Sequence, residues 1–304
     1  MNLRQRQHGI DFQYFSMILP QLIGFLVFSV YPIYWIIKLS FFEWPGFGDM
    51  SFVGVQNFVR IFNGTNPEFW TALGNTLLLT FGKLTIELPL ALFLALFVNQ
   101  KFLKGRNFFR TVFFLPTMIS PAILALIFSF IFASHNGIIN SLLINMNMID
   151  SPINFWDTRL KGMLIIATAS IWQGFGINMI FFLSGLQSIP EYLYESATLD
   201  GANKAQQLWN ITLPQLAPVL QTVFMLAMVS TMKVADVVMV LTNGAPGGKT
   251  DVLMSYVYKK FFQVSGFRPQ YGLAASIGVV SALIIAAITV LYLYVTRKAN
   301  AMEE

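Results

Sequence analysis

The sequence of 304 residues contains no cysteine, and its only histidines are His8 and His135. Without cysteine, disulfide bonds, thiolate metal sites and catalysis by a thiol are all excluded. Two histidines so far apart in the chain are too few to predict a histidine-based metal site. The sequence also lacks a Ser-His-Asp set and a complete nucleotide-binding motif. We therefore expect no catalytic residues, no metal ion and no cofactor of its own.

Charged side chains are also scarce. They make up 11% of the residues, whereas 56% of the residues are hydrophobic. The 19 basic and 14 acidic residues lie mostly between long apolar runs and give a net charge of +5. A basic excess can indicate nucleic-acid binding, but these basic residues form no stripe and flank apolar segments, as membrane anchors do. The composition predicts an integral membrane protein without a nucleic-acid partner.

Six apolar stretches are long enough to cross a membrane, since a spanning helix needs about 20 mostly apolar residues. They lie at about 12–37, 70–98, 111–133, 163–186, 213–240 and 271–296. The first is too long for a signal-peptide core and lacks an obvious cleavage site, so we interpret it as a retained span. We predict an all-α integral membrane fold with six transmembrane helices, in which residues 1–304 form a single polytopic domain.

The orientation of these spans depends on the basic residues in the connections. An even number of spans places both termini on one side, and the two sides carry nearly equal numbers of basic residues. The short second connection contains Lys101, Lys104 and Arg106, and short loops weigh most in the positive-inside rule. We therefore predict that both termini are cytoplasmic.

Two longer connections then lie outside the cell. Residues 41–69 mix aromatic residues with turn formers and predict a folded cap of short helix and turn. Residues 241–269 begin with a glycine-rich cluster that ends Gly-Lys249-Thr250, like a phosphate-binding loop. That loop requires a glycine six positions before the lysine, where this chain has Asn243. We therefore interpret this cluster as an external turn and not as a nucleotide-binding site.

A polar segment separates the fourth and fifth spans. Residues 188–191, Ser-Ile-Pro-Glu, have the pattern of a capping box that begins a helix. Gly201 stands where the end of a helix favours a residue with positive φ. A second short helix, 202–209, then leads to Thr212 as a new helix cap. The pattern predicts a helix–turn–helix at the membrane face, either a docking site for a partner or a rigid loop without one.

The same segment carries a family resemblance. Glu195-Ser196-Ala197, Gly201 and 211–214 (Ile-Thr-Leu-Pro) have the spacing of the Glu-Ala-Ala motif in permease subunits of bacterial ATP-binding-cassette importers, which the sequence therefore resembles. Ser196 is the one departure, since the family usually has alanine there. The resemblance extends to the carbohydrate-importing branch that includes the maltose-type permeases. This wider resemblance is supported by less specific motifs: Phe-Phe-Leu-Pro116, Ile171-Trp172-Gln173-Gly174, 182–201 and 241–244.

The resemblance implies that residues 187–212 form a cytoplasmic coupling loop that docks on an ATPase subunit. Its contact residues are Glu195, Ser196, Ala197, Asp200 and Gly201. The implied partners are a second homologous permease subunit, two ATPase subunits that bind and hydrolyse ATP, an extracytoplasmic solute-binding protein and a carbohydrate substrate. The implied location is the bacterial inner or plasma membrane.

Two charged pairs interrupt the spans. Lys83 and Glu87 are one turn apart on the second span and can pair there. Lys233 and Asp236 lie three residues apart on the fifth span, just after Ser230, and can either pair or line a translocation path. An unpaired charge inside the membrane costs about 3 kcal/mol or more, so Lys83 and Glu87 are expected to pair, whereas both interpretations of Lys233 and Asp236 stay open.

Polar residues also interrupt the fourth span: Trp172, Gln173, Gly174 and Asn178. A tryptophan ring can stack on a sugar while amides bind its hydroxyl groups, and the resemblance places this region at the family's substrate site. The alternative is hydrogen bonding between helices with an interfacial tryptophan. Ser120, before Pro121, can bend the third span toward the same cavity.

The motif alone does not name the ligand. An importer for a non-sugar solute therefore stays open beside a sugar importer. A secondary transporter or channel would need paired broken helices or a selectivity filter. A membrane-embedded enzyme would need a reactive set of residues in or beside a span. Neither feature is evident in the sequence.

Overall fold

The computed structural model describes residues 16–100, 102–262 and 269–300, and the side chains as far as residue 298. The start of the first predicted span (12–15), Lys101 and part of the second external connection (263–268) lie outside the described residues. The described elements, in chain order, are α1 (Ser16–Leu39), β1 (Phe42–Glu43), β2 (Ser51–Phe52), α2 (Gln56–Phe62), α3 (Pro67–Val98), α4 (Arg106–Phe114), α5 (Pro121–Ile131), α6 (Ile138–Asn145), α7 (Arg159–Ser188), α8 (Glu191–Leu199), α9 (Lys204–Gln207), α10 (Leu213–Met232), α11 (Asp236–Leu241), α12 (Leu253–Phe261) and α13 (Tyr271–Asn300).

Five continuous helices are long and apolar enough to cross a membrane: α1, α3, α7, the joined α9–α10 (Lys204–Met232) and α13. A sixth candidate is a broken pair, in which Arg106–Met118 and Pro121–Ile131 meet at an angle of 93°. The all-α architecture is as predicted, and the bend expected in the third span at Ser120 and Pro121 is a complete break of the helix. Pro121 disfavours helical geometry in the preceding residue, and Ser120 is accordingly extended at ψ 136°.

The fifth span also differs from its predicted bounds of 213–240. It begins earlier, because a wide π-helical turn at Leu208–Thr212 joins α9 to α10. It ends earlier as well, since α10 stops at Met232 and a separate short helix, α11, begins at Asp236. The wide turn lies just before Pro214, whose ring cannot fit against the carbonyl four residues earlier in a regular helix.

The described chain divides into two compact units. The first contains the chain as far as Asn66 together with Val257–Ala282, and the second contains Pro67–Tyr256 and the chain from Leu283. In the first unit, β1 and β2 pair antiparallel, and the predicted cap of helix and turn therefore contains a small hairpin beside α2. The prediction of one polytopic domain concerns the whole chain and stays a prediction.

Close packing of α3 on α7 organises the second unit. Small residues line this contact: Ala91 and Ala95 on α3 are fully buried. On α7, a Cβ at Gly185 would lie 2.7 Å from the Leu216 side chain of α10. Without a hydrophobic driving force inside the lipid, helices associate through such close van der Waals contact between small residues. Short side chains therefore determine how closely α3, α7 and α10 can pack.

Candidate functional site

The segment between α7 and α10 ends its first helix with a complete Schellman motif. Gly201 has φ +80°. The Gly201 N–H donates to the Thr198 carbonyl (3.1 Å) and the Ala202 N–H to the Ala197 carbonyl (2.8 Å). These two bonds satisfy carbonyls that the helix end would otherwise leave unpaired. We call residues 190–212 the turn segment.

The predicted capping box at 188–191 is wrong. Ser188 is still part of α7, and its hydroxyl donates to the Gly185 carbonyl (2.7 Å). Ile189 is extended because a proline follows it, so Pro190 becomes the N-cap of α8 without a side-chain bond. A capping box forms later, where the Asn203 and Gln206 side chains bind each other's backbone N–H groups at 2.9 and 2.8 Å. Thr212, predicted as a new cap, lies within the wide helical turn instead.

The turn segment presents an apolar side chain between two acidic ones. Leu199 is 90% exposed, and Glu195 and Asp200 on either side of it are exposed as well. Ser196 is also exposed, whereas Ala197 is half-buried. The sequence prediction named the acidic residues but missed Leu199. The sequence does contain a signal for Leu199, since it is an apolar residue between Thr198 and Asp200 at the predicted end of a helix.

Gln173, predicted for the substrate path, binds the break between α4 and α5. Its side-chain amide donates to the Ile119 carbonyl (2.8 Å), and its own backbone carbonyl accepts the Thr117 hydroxyl (2.8 Å). A helix broken within a membrane leaves backbone groups that lipid cannot satisfy. Gln173 therefore stabilises the break through its side-chain N–H.

The predicted Lys83–Glu87 pair is confirmed, with Nζ to Oε2 at 3.3 Å and both side chains buried. Asn178, on α7, donates its amide to Glu87 Oε1 at 2.6 Å. Gly174 completes the arrangement, because a Cβ there would lie 2.5 Å from the same oxygen. Gly174 and Asn178 thus accommodate a buried charge between α3 and α7, which is the interhelical role left open by the sequence.

Trp172 remains partly accessible on α7. It is 38% exposed and packs against Phe128 of α5, with ring centroids 5.9 Å apart. The same apolar cluster brings α11 to α5 and α7 through Val237 and Val238. Of the predicted path residues, Trp172 thus keeps part of its ring surface free.

Four further predicted path residues are exposed: Ser120, Ser230, Lys233 and Asp236. The structure does not show the alternative in which Lys233 and Asp236 pair. Lys233 caps the end of α10 and Asp236 begins α11, and among the residues that the structure describes no ion pair joins them. The helix break separates two side chains that a continuous helix would have placed together.

A polar cluster that the sequence prediction missed anchors the connection before α12. Asn75 on α3 donates to the carbonyls of Lys249 (2.8 Å) and Asp251 (2.6 Å), and it accepts the Arg159 Nε–H (2.8 Å). In the sequence, the polar residues Asn75 and Thr76 stand side by side within the apolar second span, and this pattern could have indicated the cluster. Burial raises the pKa of the nearby Tyr256 hydroxyl well above its ordinary value, with added effects of the Glu68 and Asp251 carboxylates.

The glycine-rich connection does not present its threonine for a phosphate. Thr250 is fully buried, and its hydroxyl lies 2.8 Å from both Thr242 Oγ1 and the Ala245 carbonyl. Its role is therefore internal to the turn. In the described ranges, no group of three or more His, Asp or Glu residues could hold a metal ion.

Residues 87–300 match the protein family described as "Binding-protein-dependent transport system inner membrane component". The arabinooligosaccharides transport system permease protein AraP of Bacillus subtilis (strain 168) is 35% identical over 277 residues, covering 90% of this chain and 85% of that protein. The multiple sugar-binding transport system permease protein MsmF of Streptococcus mutans serotype c is 32% identical, covering 93% and 94%. The trehalose/maltose transport system permease protein MalF of Thermococcus litoralis is 30% identical, covering 93% of each.

Two solved structures resemble the chain over nearly its whole length. One is a bacterial ATP-binding-cassette transporter involved in the import of the acidic polysaccharide alginate, with a TM-score of 0.84, 26% identity and coverage of 98% and 99%. The other is a bacterial alginate transporter in complex with an alginate pentasaccharide-bound periplasmic protein, with a TM-score of 0.83, 26% identity and coverage of 97% of each chain. The likeness therefore concerns the whole architecture and not the turn segment alone.

Proposed function

The chain belongs to the family of binding-protein-dependent transport system inner membrane components, and from this we propose that it carries a sugar or oligosaccharide across the bacterial inner membrane. Membership in the family confirms the resemblance that the Glu-Ser-Ala motif indicated. The chain is a permease subunit and not an enzyme, and it forms half of the path together with a second homologous permease subunit. A carbohydrate is proposed because AraP, MsmF and MalF are named for sugar transport.

The observation that supports coupling to an ATPase is the shape of the turn segment. A helix end that projects Leu199 between Glu195 and Asp200 fits a cleft with an apolar floor and basic rims. A carboxylate and an arginine in a partly dry cleft make a strong, oriented pair. We therefore assign this surface, including Ser196, Ala197 and Gly201, to docking on one of two partner ATPase subunits, which bind and hydrolyse the ATP. Both termini then lie in the cytoplasm with the turn segment.

The external connections at 41–69 and 242–269 are each assigned to contact with the solute-binding protein. Asn75 holds the second of them against α3. One alginate transporter of similar fold is seen in complex with its sugar-loaded periplasmic protein, which supports a partner of this kind.

The proposed substrate path uses the accessible polar side chains of the second unit. The free surface of Trp172 offers a stacking face for a sugar ring, and Ser120, Ser230, Lys233 and Asp236 offer groups that bind hydroxyls. Gln173, Gly174 and Asn178 support the helices behind them. An importer for a non-sugar solute would use the same turn segment, and uptake assays with oligosaccharides and with amino acids distinguish the two.

The coupling function is tested in the complete importer, purified with its ATPase subunits and supplied with loaded binding protein. Glu195→Lys reverses a docking charge, and Gly201→Asp places a side chain at φ +80°, where L residues are strained by about 1–2 kcal/mol. We expect both variants to reach the membrane and to lose substrate-stimulated ATP hydrolysis.

Gly105→Asp is the matched control. Gly105 has φ +79° and, like Gly201, no atom within 4 Å of an added Cβ, so the same substitution brings the same strain and charge outside the turn segment. It should retain stimulated hydrolysis. Normal stimulation in both Glu195→Lys and Gly201→Asp would contradict the proposed docking site.

A further inference from the structure

Four side chains close a ring of hydrogen bonds inside the turn segment. The hydroxyl groups of Tyr194 and Thr212 are 3.0 Å apart, and the Thr212 hydroxyl donates to the Gln207 carbonyl (3.2 Å). The Gln207 side-chain amide donates to the Thr198 hydroxyl (2.9 Å), which in turn donates to the Tyr194 carbonyl (2.7 Å). The ring therefore returns to the residue from which it starts.

The direction of each bond follows from the donor inventory. A threonine hydroxyl has one hydrogen, and Thr212 directs it at Gln207. Tyr194 must then be the donor to Thr212. The Thr198 and Thr212 hydroxyls each accept one bond and donate another, an arrangement in which neighbouring bonds polarise one another.

The ring joins two elements that lie on either side of the Gly201 turn in the chain. Tyr194 and Thr198 lie on α8, the proposed docking helix, while Gln207 precedes the wide turn at the base of the fifth span and Thr212 is its last residue. Gln207 and Thr212 are 4% and 6% exposed, so the bond between them is shielded from water, whereas the bond from Thr198 to the Tyr194 carbonyl is exposed. The Thr212 hydroxyl reaches the carbonyl five residues earlier, across the wide turn.

We propose that Tyr194, Thr198, Gln207 and Thr212 are positioning residues that make the docking helix and the base of α10 move as one body. The proposal rests on the proposed function, because it concerns how a displacement of α8 reaches the membrane. With the ring intact, the Gly201 turn cannot act as a hinge. Without it, α8 can follow the ATPase while α10 lags behind, and ATP is hydrolysed without transport.

The test is the number of sugar molecules transported per ATP hydrolysed by the complete importer in proteoliposomes. Tyr194→Phe and Thr212→Val each remove one hydroxyl, and each loss is expected to lower this ratio about two- to tenfold. Thr212→Ser keeps the hydroxyl and should keep the ratio. A purely structural role would reduce the amount of assembled complex, measured by co-purification, but not the ratio.

Thr222→Val is the matched control on the same helix, since the Thr222 hydroxyl donates only to the Pro218 carbonyl one turn earlier. The proposal is overturned if Tyr194→Phe and Thr212→Val transport as much sugar per ATP hydrolysed as Thr222→Val does. The double variant should lose no more than the larger single loss, because both changes open one ring. A loss equal to the product of the two contradicts a single ring. If Thr212→Val fails to assemble, Tyr194→Phe decides the outcome.

Glu195→Lys, measured in the same assay, separates this proposal from the proposed function. Full stimulation in Glu195→Lys, together with full stimulation in Gly201→Asp, means that the docking site itself is wrong. If Glu195→Lys loses stimulation while Tyr194→Phe and Thr212→Val keep the normal ratio, only the ring proposal fails.

Discussion

Polar side chains of the turn segment and those inside α7 belong to the same chain but have opposite surroundings. Glu195 and Asp200 are exposed beside the projecting Leu199. Gln173 and Asn178 are each held by a hydrogen bond to a neighbouring helix or helix break. At a membrane face, water satisfies an unused polar group and leaves it free for a partner. Within the lipid, every polar group needs a protein partner, so a polar residue there is first a packing residue.

The largest loss of stability is expected where one partner of the buried ion pair is removed. Glu87→Leu would leave Lys83 charged, buried and without its counter-ion, which destabilises a protein by about 3–5 kcal/mol. We expect a strong fall in the apparent melting temperature of the purified protein in mild detergent, with loss of the folded peak in size-exclusion chromatography.

The double variant Lys83→Met/Glu87→Leu is its control. Replacing a whole buried pair by apolar side chains of similar size is often neutral, so most of the stability should return. Asn178 then lacks its acceptor, and recovery should be incomplete. If Glu87→Leu alone is as stable as the unmodified protein, a charge within the lipid does not need its protein partner, and the contrast with the turn segment is wrong.

A smaller effect is expected at the glycine that admits the Glu87 carboxylate. In Gly174→Ala the new methyl group would lie 2.5 Å from Glu87 Oε1 and must displace it from Asn178, at a cost of about 1–3 kcal/mol. Gly82→Ala on α3 is the control, because no atom lies within 4 Å of its added Cβ. Alanine should be neutral or stabilise there by up to about 1 kcal/mol. Equal thermal stability of the two variants would show that Gly174 is not required by packing.

Much of the architecture was predictable, because it depends on local pattern. Long apolar runs identify the spans, and the Gly201 helix end follows from one residue type at one position. The Lys83–Glu87 pair follows from spacing along one helix. In each case, the decisive contact lies within one or two helical turns.

The misplaced features depend on contacts that the sequence does not bring together. The break after Ile119 is stabilised by Gln173, which is 54 residues away. Asn75 binds carbonyls that are 174 and 176 residues further along the chain. Pairing of Lys233 with Asp236 would need a continuous helix, but the helix ends before Lys233. Spacing predicts pairs only where the helix is known to continue.

The smallest expected effect is at a second ion pair with the same i, i+4 spacing, but in water. Lys161 Nζ lies 3.0 Å from Asp157 Oδ2, with the two side chains 41% and 42% exposed. Asp157→Ala should change stability by less than about 1 kcal/mol, because water and salt screen such pairs and Lys161 keeps a bond to the Asn154 carbonyl. Raising the salt from about 0.05 to 0.5 M should remove even that difference in melting temperature, since screening shortens the range of surface charges. A loss as large as that of Glu87→Leu would show that spacing along the chain, and not the surroundings, decides what an ion pair contributes in this protein.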